Sequence, residues 1–287
     1  MSAARTALAV MGAIAPTLAA EIAYRLWGQL GRPAGVHERD RSVHEEADTS
    51  LLEVNGERVV TYTWGSGHRV ILLVHGWRSR AARFSALVRT LQSPEHTIVS
   101  FDAPGNGSSS GARTTILDYA AAIRMLGEKH GEFDAIIGHS FGVLASFLAV
   151  REGVRTRRLV GVAGMYSADQ LVDGFSNLAG IRGRAKSGLR TRIARRTFAT
   201  VADPWRRFIA EIDPAHTHIP LLLIHDADDT TVPVTEAELI ANAHTGEVTT
   251  MLTRGLGHSR ILSDPAVLAT ISSFTLEQPA PTKSSTS

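Results

Sequence analysis

A serine between two glycines is the part of the sequence that most directly suggests chemistry. The segment Gly138-His139-Ser140-Phe141-Gly142 follows the apolar run of residues 133–137 and precedes the apolar run of residues 143–150. This order predicts a strand, a sharp turn and a helix, which would expose the Ser140 hydroxyl at the edge of a sheet. The pattern therefore predicts Ser140 as a nucleophile. The alternative is a glycine-rich turn that only lets a helix pack close to a strand.

A serine hydroxyl needs a histidine base, and that base needs a carboxylate to fix its tautomer. His258 is the candidate base because it lies in a glycine-rich loop just after the last predicted strand. The alternative is a loop histidine that caps the final helix. His139 adjoins the nucleophile and should point away from it, and His225 ends a strand with carboxylates beside it. His216 and His218 share a short loop, where they either face solvent or form a weak metal pair.

The carboxylate is expected at the end of another strand, since parallel strands bring functional groups together at their carboxyl ends. The apolar run of residues 221–224 is followed by Asp226, Asp228 and Asp229. We predict Asp229 as the acid because it lies at the loop apex, shortly before the next helix. Asp226 or Asp228 would instead bind loop amides. Three aspartates can also bind a divalent cation, but their spacing lacks the EF-hand pattern, so no metal site is predicted.

Acyl transfer also requires hydrogen-bond donors for a developing oxyanion. The backbone N–H of Phe141, directly after the nucleophile, is the first predicted donor. The loop His75-Gly76-Trp77-Arg78 follows the apolar run of residues 70–74, and the N–H of Trp77 is the second predicted donor. Because this loop faces the same site, we also expect His75 and Gly76 to contact the substrate.

The elements that would hold these residues alternate between strands and helices. Asn55-Gly56 between two β-rich runs predicts a hairpin, and residues 70–74 predict a strand that is buried on both faces. Further strands are predicted over 97–101, 133–137, 158–163, 221–224 and 248–252, and helices over 79–92, 114–129, 141–151, 234–243 and 265–276. This alternation predicts an α/β protein with a parallel sheet and helices on both faces.

The composition excludes several function classes. The chain has 287 residues, a formal net charge of +2 and no cysteine. The small net charge argues against nucleic acid as a partner. The lack of cysteine excludes disulfides, thiolate catalysis and cysteine-ligated metal sites.

The N-terminus allows three interpretations. Residues 7–20 are almost wholly apolar, but this run is too short for a membrane-spanning helix. Apolar residues at spacings of three and four, with Pro16 placed to begin a second helix, favour an amphipathic helix pair. A weak signal peptide and a membrane-surface anchor are the alternatives. We expect a cytoplasmic protein, with membrane association or secretion as the corresponding alternatives.

The order of these motifs resembles the α/β-hydrolase superfamily. That order comprises His75-Gly76-Trp77, residues 101–108, the Ser140 turn, Asp229 and Gly257-His258, and the resemblance covers residues 51–276. It implies an α/β-hydrolase fold with an eight-stranded, mostly parallel sheet and a triad of Ser140, Asp229 and His258. A serine nucleophile argues against dehalogenase and epoxide-hydrolase chemistry, for which enzymes of this fold use aspartate. Asn106 stands where family members often have histidine, and little catalytic effect is expected from that difference.

The resemblance also divides the chain into segments. We expect an N-terminal helical segment and linker over 1–48, a hydrolase core over 49–165 and 213–276, a helical cap over 166–212 and a disordered tail over 277–287. Between residues 182 and 207 the cap has nine Lys or Arg and one acid. A solvated lid face is the favoured reading, and an anionic membrane surface or an acidic substrate is the alternative. Trp205 and Phe208 either pack the cap or line a lipophilic substrate site.

These features predict a serine hydrolase that cleaves carboxylic esters of a small-molecule acyl substrate through an acyl-enzyme, without a cofactor. Thioesterase and amidase or peptidase activity on the same fold are alternatives. A non-catalytic, membrane-associated binding module is a further alternative, because a fold does not guarantee an activity. A peripheral membrane contact through the N-terminal helix or the basic insert stays open.

Overall fold

The strands of the computed structural model form a single sheet. The model describes residues 2–211 and 219–276, and within these ranges the sheet has eight strands in the order β1-β2-β4-β3-β5-β6-β7-β8. Their bounds are β1 Asp48–Val54, β2 Glu57–Trp64, β3 Arg69–Val74, β4 His96–Phe101, β5 Ala135–His139, β6 Leu159–Val162, β7 Leu221–Asp226 and β8 Val248–Thr253. β1 pairs antiparallel with β2, and β2 antiparallel with β4. All other neighbours are parallel, which confirms the predicted fold class.

Turn chemistry and strand composition explain this sheet. Asn55 and Gly56 both have positive φ, at 51° and 83°, which is the backbone that a tight hairpin between β1 and β2 requires. β3 lies between two parallel neighbours and is apolar on both faces. Leu72 and Val74 belong to one hydrophobic core and Ile71 and Leu73 to the other, because successive side chains of a strand point to opposite sides of the sheet.

Twelve α-helices occur within the described residues. Their bounds are α1 Ser2–Ile14, α2 Pro16–Trp27, α3 Glu38–Glu45, α4 Ser85–Leu91, α5 Ile116–His130, α6 Phe141–Arg151, α7 Ala168–Ala179, α8 Gly183–Arg192, α9 Pro204–Arg207, α10 Thr235–Ala243, α11 Gly257–Arg260 and α12 Pro265–Leu276. The 3-10 segments Ala81–Phe84 and Ile261–Ser263 and the π-helical segment Ile193–Thr197 complete the helical structure.

Two of these elements differ from the sequence-based expectation. The predicted helix over 79–92 is a 3-10 turn followed by α4. The predicted linker before β1 contains α3, whose Val43 is 1% exposed and whose Val43 carbonyl accepts a hydrogen bond from the Trp64 indole at 2.7 Å. The segment is polar because α3 buries only part of its surface, so its composition alone is typical of a loop.

The segment between β6 and β7 is helical, and we call residues 166–211 the cap. It contains α7, α8, the π-helical segment and α9. A bridge between Ser167 and Ile209 closes its base. The remaining predicted cap residue 212, the pair His216 and His218, and the predicted disordered tail over 277–287 lie outside the described residues.

The N-terminal helices pack against the cap. Ala15 separates α1 from α2, and Pro16 occupies the first turn of α2, as the favoured interpretation predicted. Ala19, Ala20 and Ala23 of α2 are fully buried. A side chain at Gly188 of α8 would stand 2.8 Å from the Ala20 Cβ, so the two helices approach closely through small residues.

No helix among the described residues has the length and apolar character needed to cross a bilayer. The predicted membrane-surface contact stays a prediction.

Candidate active site

The turn between β5 and α6 holds Ser140 in a strained backbone conformation. Its φ of 56° and ψ of −122° lie in a region that non-glycine residues rarely adopt. The flanking glycines permit this turn: a Cβ at Gly142 would stand 2.1 Å from the Val74 carbonyl oxygen, and one at Gly138 would stand 2.7 Å from the Val143 Cα. The strand-to-helix turn expected at this position is therefore present.

The three predicted triad residues follow three different strands, β5, β7 and β8, and meet in one hydrogen-bond chain. The Ser140 Oγ lies 3.0 Å from the His258 Nε2. The His258 Nδ1 lies 2.7 Å from the Asp229 Oδ2. With Nδ1–H donating to the carboxylate, Nε2 is left to accept the serine proton, which is the tautomer that general-base catalysis requires.

Asp229 is buried and fully hydrogen-bonded. Its Oδ1 accepts from the backbone N–H groups of Thr231 at 2.7 Å and Val232 at 3.0 Å. Burial alone would raise the pKa of Asp229, but the hydrogen bond from His258 and those from the two amides together hold this pKa below its ordinary value. The carboxylate is therefore ionised at neutral pH and can stabilise an imidazolium.

The other two aspartates of this loop shape the segment that carries His258. Asp226 Oδ2 accepts from the Thr253 hydroxyl at 2.7 Å and the Leu256 N–H at 3.0 Å. Asp228 Oδ2 accepts from the Gly255 N–H at 2.9 Å. These contacts agree with the expected role of Asp226 or Asp228 in binding loop amides.

His139 contacts the backbone and the ring of His258, the predicted base, a contact that sequence reasoning missed. Its Nε2–H donates to the His258 carbonyl oxygen at 2.9 Å, and the two rings lie 4.8 Å apart. Burial, followed by the proximity of His258, lowers the pKa of His139 to about 3, so the ring is neutral. The only sequence signal for this contact was that His139 adjoins Ser140, and the direction of the His139 side chain depends on the fold.

The loop after β3 lies against Ser140. A Cβ at Gly76 would stand 3.0 Å from the Ser140 Cβ. The Gly76 carbonyl oxygen accepts from the His75 Nδ1–H at 2.7 Å and from the Tyr119 hydroxyl at 3.1 Å. In a trans peptide the N–H points opposite to the C=O, and the chain has no cis peptide among the described residues. These two hydrogen bonds therefore orient the Trp77 N–H, the predicted oxyanion donor, away from the core.

The expectation that His75 contacts the substrate is corrected by the structure. His75 is fully buried, and its Nε2 accepts from the Ala103 N–H at 3.0 Å. Burial lowers the pKa of its ring, and the neutral tautomer matches the two hydrogen bonds that it makes. His75 therefore holds the loop and does not face a ligand.

The two predicted aromatic residues of the cap have different positions. Trp205 lines a cavity that is also lined by Trp77 and Phe141. Phe208 is fully buried and packs edge-on against Phe198 at 4.8 Å. The expectation that Phe208 lines the substrate site is therefore not met, because its ring is buried and does not line this cavity.

The site contains no grouping typical of a metal centre. Across residues 2–211 and 219–276, no three His, Asp or Glu side chains stand close enough to hold an ion. The carboxylates of Asp226 and Asp229 are occupied by the amide, hydroxyl and imidazole donors described above.

Comparison with known proteins identifies the family of this chain. The family model for the alpha/beta hydrolase family matches residues 71–271. The chain belongs to the alpha/beta hydrolase family. No curated protein sequence matches this family member.

Solved structures share the fold at low sequence identity. A putative lipase from Acinetobacter baumannii AYE superposes with a TM-score of 0.61 at 16% identity, covering 83% of this chain and 94% of the other. An esterase from Exiguobacterium antarcticum gives 0.59 at 13% identity, with 80% and 100% coverage. A membrane phospholipase A gives 0.60 at 15% identity, with 96% and 98% coverage. These similarities identify the alpha/beta hydrolase fold.

Proposed function

We propose that this alpha/beta hydrolase is a serine hydrolase that cleaves carboxylic esters through a triad of Ser140, His258 and Asp229. The observation that carries the proposal is the continuous hydrogen-bond chain from the serine hydroxyl through the imidazole to the buried carboxylate, with contacts of 3.0 and 2.7 Å. A hydroxyl, a base and an oriented carboxylate in this order are what acyl transfer to serine requires.

The proposed reaction follows from these positions. The Ser140 Oγ attacks the acyl carbon while its proton moves to the His258 Nε2, and Asp229 stabilises the imidazolium that forms. The N–H groups of Phe141 and Trp77 donate to the oxyanion of the tetrahedral intermediate. The imidazolium then protonates the leaving alcohol, and an acyl-enzyme remains. Water, activated by His258, attacks this acyl-enzyme, and the acid is released with Ser140 restored.

The surroundings of the triad favour an uncharged ester over the alternatives. The cavity beside Trp77 and Phe141 is lined by thirteen residues, none of them charged. Several of the basic cap residues are already paired: Arg190 with Asp169 at 2.6 Å, and Arg192 and Arg196 with Glu21 at 3.0 Å. Arginines held in such pairs are less available to bind the phosphates of a thioester carrier, so the ester is preferred over that thioester.

Labelling with a fluorophosphonate probe tests the proposal. Wild type should be labelled, and Ser140→Ala should not be. Purified wild type is then assayed on matched oxygen esters, thioesters and anilides of the same acyl group, with the Ser140→Ala variant as the blank. We expect the highest kcat/KM on the oxygen ester. An unlabelled wild type would favour the non-catalytic binding module, and faster turnover of the thioester or the anilide would identify one of the other two activities.

A further inference from the structure

A small cavity lies beside the residues that carry the proposed oxyanion donors. Its volume is about 30 Å³, which is room for about two water-sized groups. Phe141 and Trp77 line it together with Leu171, Ile193 and Trp205 of the cap. Phe141 directly follows Ser140 in the chain, so the cavity adjoins the proposed nucleophile through the residues that carry the proposed oxyanion donors.

One wall of the cavity comes from the N-terminal helices, far outside the family-matched region. Trp27, the last residue of α2, lines the cavity. Its ring stacks on Trp77 with 6.0 Å between centroids and packs edge-on against Phe175 at 5.3 Å. An indole held between two aromatic rings is a rigid wall, because rotation of the side chain would break both contacts.

The helix that carries Trp27 is fixed to the cap. Glu21 of α2 accepts hydrogen bonds from Arg192 and Arg196, each at 3.0 Å. The Tyr24 hydroxyl lies 3.3 Å from the Thr197 Oγ1. These contacts lie about one and two turns before Trp27 on the same helix, so they hold the end of α2 that carries the indole against the cap.

The cavity also contains a hydroxyl without a hydrogen-bond partner. Thr114 is 4% exposed and lines the cavity, and its Oγ1 has no partner among the described residues. The other two lining threonines are engaged, Thr115 with Asp118 and Thr197 with Tyr24. A buried hydroxyl left unpaired costs free energy, so Thr114 provides a polar contact that a bound group can use.

We propose that this cavity is the acyl pocket, that it accepts a short uncharged acyl group such as acetyl or propionyl, and that Trp27 limits the length of that group. The Thr114 hydroxyl supplies its polar contact, to a hydroxyl that a substituted acyl chain of the same length, such as glycolyl, places in the cavity. This inference rests on the ester hydrolysis proposed above. It assigns the N-terminal helices a part in substrate selection.

Chain-length profiles of p-nitrophenyl esters test the role of Trp27. In wild type, kcat/KM should fall at least tenfold from acetate to octanoate. Trp27→Ala opens space for roughly three methylenes, each contributing about fourfold. The octanoate-to-acetate ratio should therefore rise by about tenfold to sixtyfold. In Trp27→Phe the butyrate-to-acetate ratio of kcat/KM should rise, by a smaller factor, and the octanoate-to-acetate ratio should not. This variant provides the test if Trp27→Ala does not fold.

Leu26→Ala is the matched control, because Leu26 is the neighbouring residue, is 45% exposed and does not line the cavity. Its profile should equal that of wild type. An unchanged profile in a folded, fluorophosphonate-labelled Trp27→Ala protein overturns the inference and leaves the proposed function intact. The inference is also overturned if Trp27→Ala has a higher kcat/KM than wild type on octyl acetate but not on p-nitrophenyl octanoate. The cavity would then hold the leaving alcohol. Loss of labelling in wild type would instead remove the proposed function.

A near-isosteric pair of substrates tests Thr114. Glycolate places a hydroxyl where propionate has its terminal methyl group, so both acyl groups fit the proposed length limit. The ratio of kcat/KM for the two esters in wild type, divided by the same ratio in Thr114→Val, cancels their intrinsic reactivities. One hydrogen bond predicts a quotient of about two to ten. A quotient of one would show that the hydroxyl does not contact the acyl group at this position and would overturn this part of the proposal.

Discussion

Replacement of Asp229 by asparagine should place the proton of His258 on the wrong nitrogen. The two oxygens of the carboxylate have different partners: Oδ1 accepts from the N–H groups of Thr231 and Val232, and Oδ2 accepts from the His258 Nδ1–H. In Asp229→Asn the amide oxygen must stay with the two N–H donors, because an NH2 group there would oppose them. The amide NH2 then faces Nδ1, and the proton moves to Nε2.

The size of the effect follows from this tautomer. A protonated Nε2 points its hydrogen at the Ser140 Oγ, 3.0 Å away, and cannot accept the serine proton. We expect kcat on p-nitrophenyl acetate to fall by about 10⁴, which corresponds to about 5 kcal/mol of barrier. The fluorophosphonate labelling rate should fall by a similar factor, and the thermal midpoint should change little, because the replacement keeps the two backbone hydrogen bonds.

Asp226→Asn is the matched control, since Asp226 belongs to the same loop and contacts no triad side chain. Its Oδ2 accepts from the Thr253 hydroxyl and the Leu256 N–H, so the substitution should lower the free energy of unfolding by about 1–3 kcal/mol and lower kcat less than tenfold. If Asp229→Asn retains activity within tenfold of wild type while Asp226→Asn is inactive, the assignment of the acid is wrong.

Three further results are expected. Tyr119→Phe removes one of two hydrogen bonds to the Gly76 carbonyl and should lower kcat about tenfold with KM unchanged; an equal change in KM would contradict a role in orienting the oxyanion donor. The pKa of His139, about 3, lies below its value of about 6.5 in the unfolded chain. The free energy of unfolding therefore does not change with the protonation of His139 above about pH 6.5, and it falls by up to about 1.4 kcal/mol for each pH unit below that. In His139→Gln the free energy of unfolding, measured by chemical denaturation, should fall less steeply between pH 6 and pH 4 than in wild type. The same dependence on pH in both proteins would count against this linkage. Glu21→Gln weakens the pairing with Arg192 and should speed hydrogen exchange in α2 but not in the sheet; equal exchange would show that the pair does not hold the helix.

Much of the fold follows from local sequence signals. The apolar runs at β3 and β7 predict buried strands because parallel strands covered on both faces have no polar side. The convergence of Ser140, Asp229 and His258 could be predicted because each lies shortly after a strand, and parallel strands end at one edge of the sheet. The distances of 3.0 and 2.7 Å between them required the three-dimensional structure.

The supporting residues could not be predicted in the same way. His75 and Tyr119 are 44 residues apart in the chain and meet at the Gly76 carbonyl. The position of His75 in a loop that faces the site predicted a contact with the substrate. Only its complete burial shows that it holds the loop instead. The prediction for Phe208 was wrong for a related reason. An apolar side chain in a cap either packs in the interior or faces a ligand, and the sequence does not specify the direction in which it points.

The position of Trp27 has a consequence for how this protein can be re-engineered. The family model begins at residue 71, whereas an indole from residue 27 closes one side of the cavity. A mutant library restricted to the matched region would leave this wall in place, and a cap transplanted from another hydrolase would lose its partner for the indole. Attempts to retune selectivity by recombination should therefore exchange the amino-terminal forty residues and the cap as one cassette.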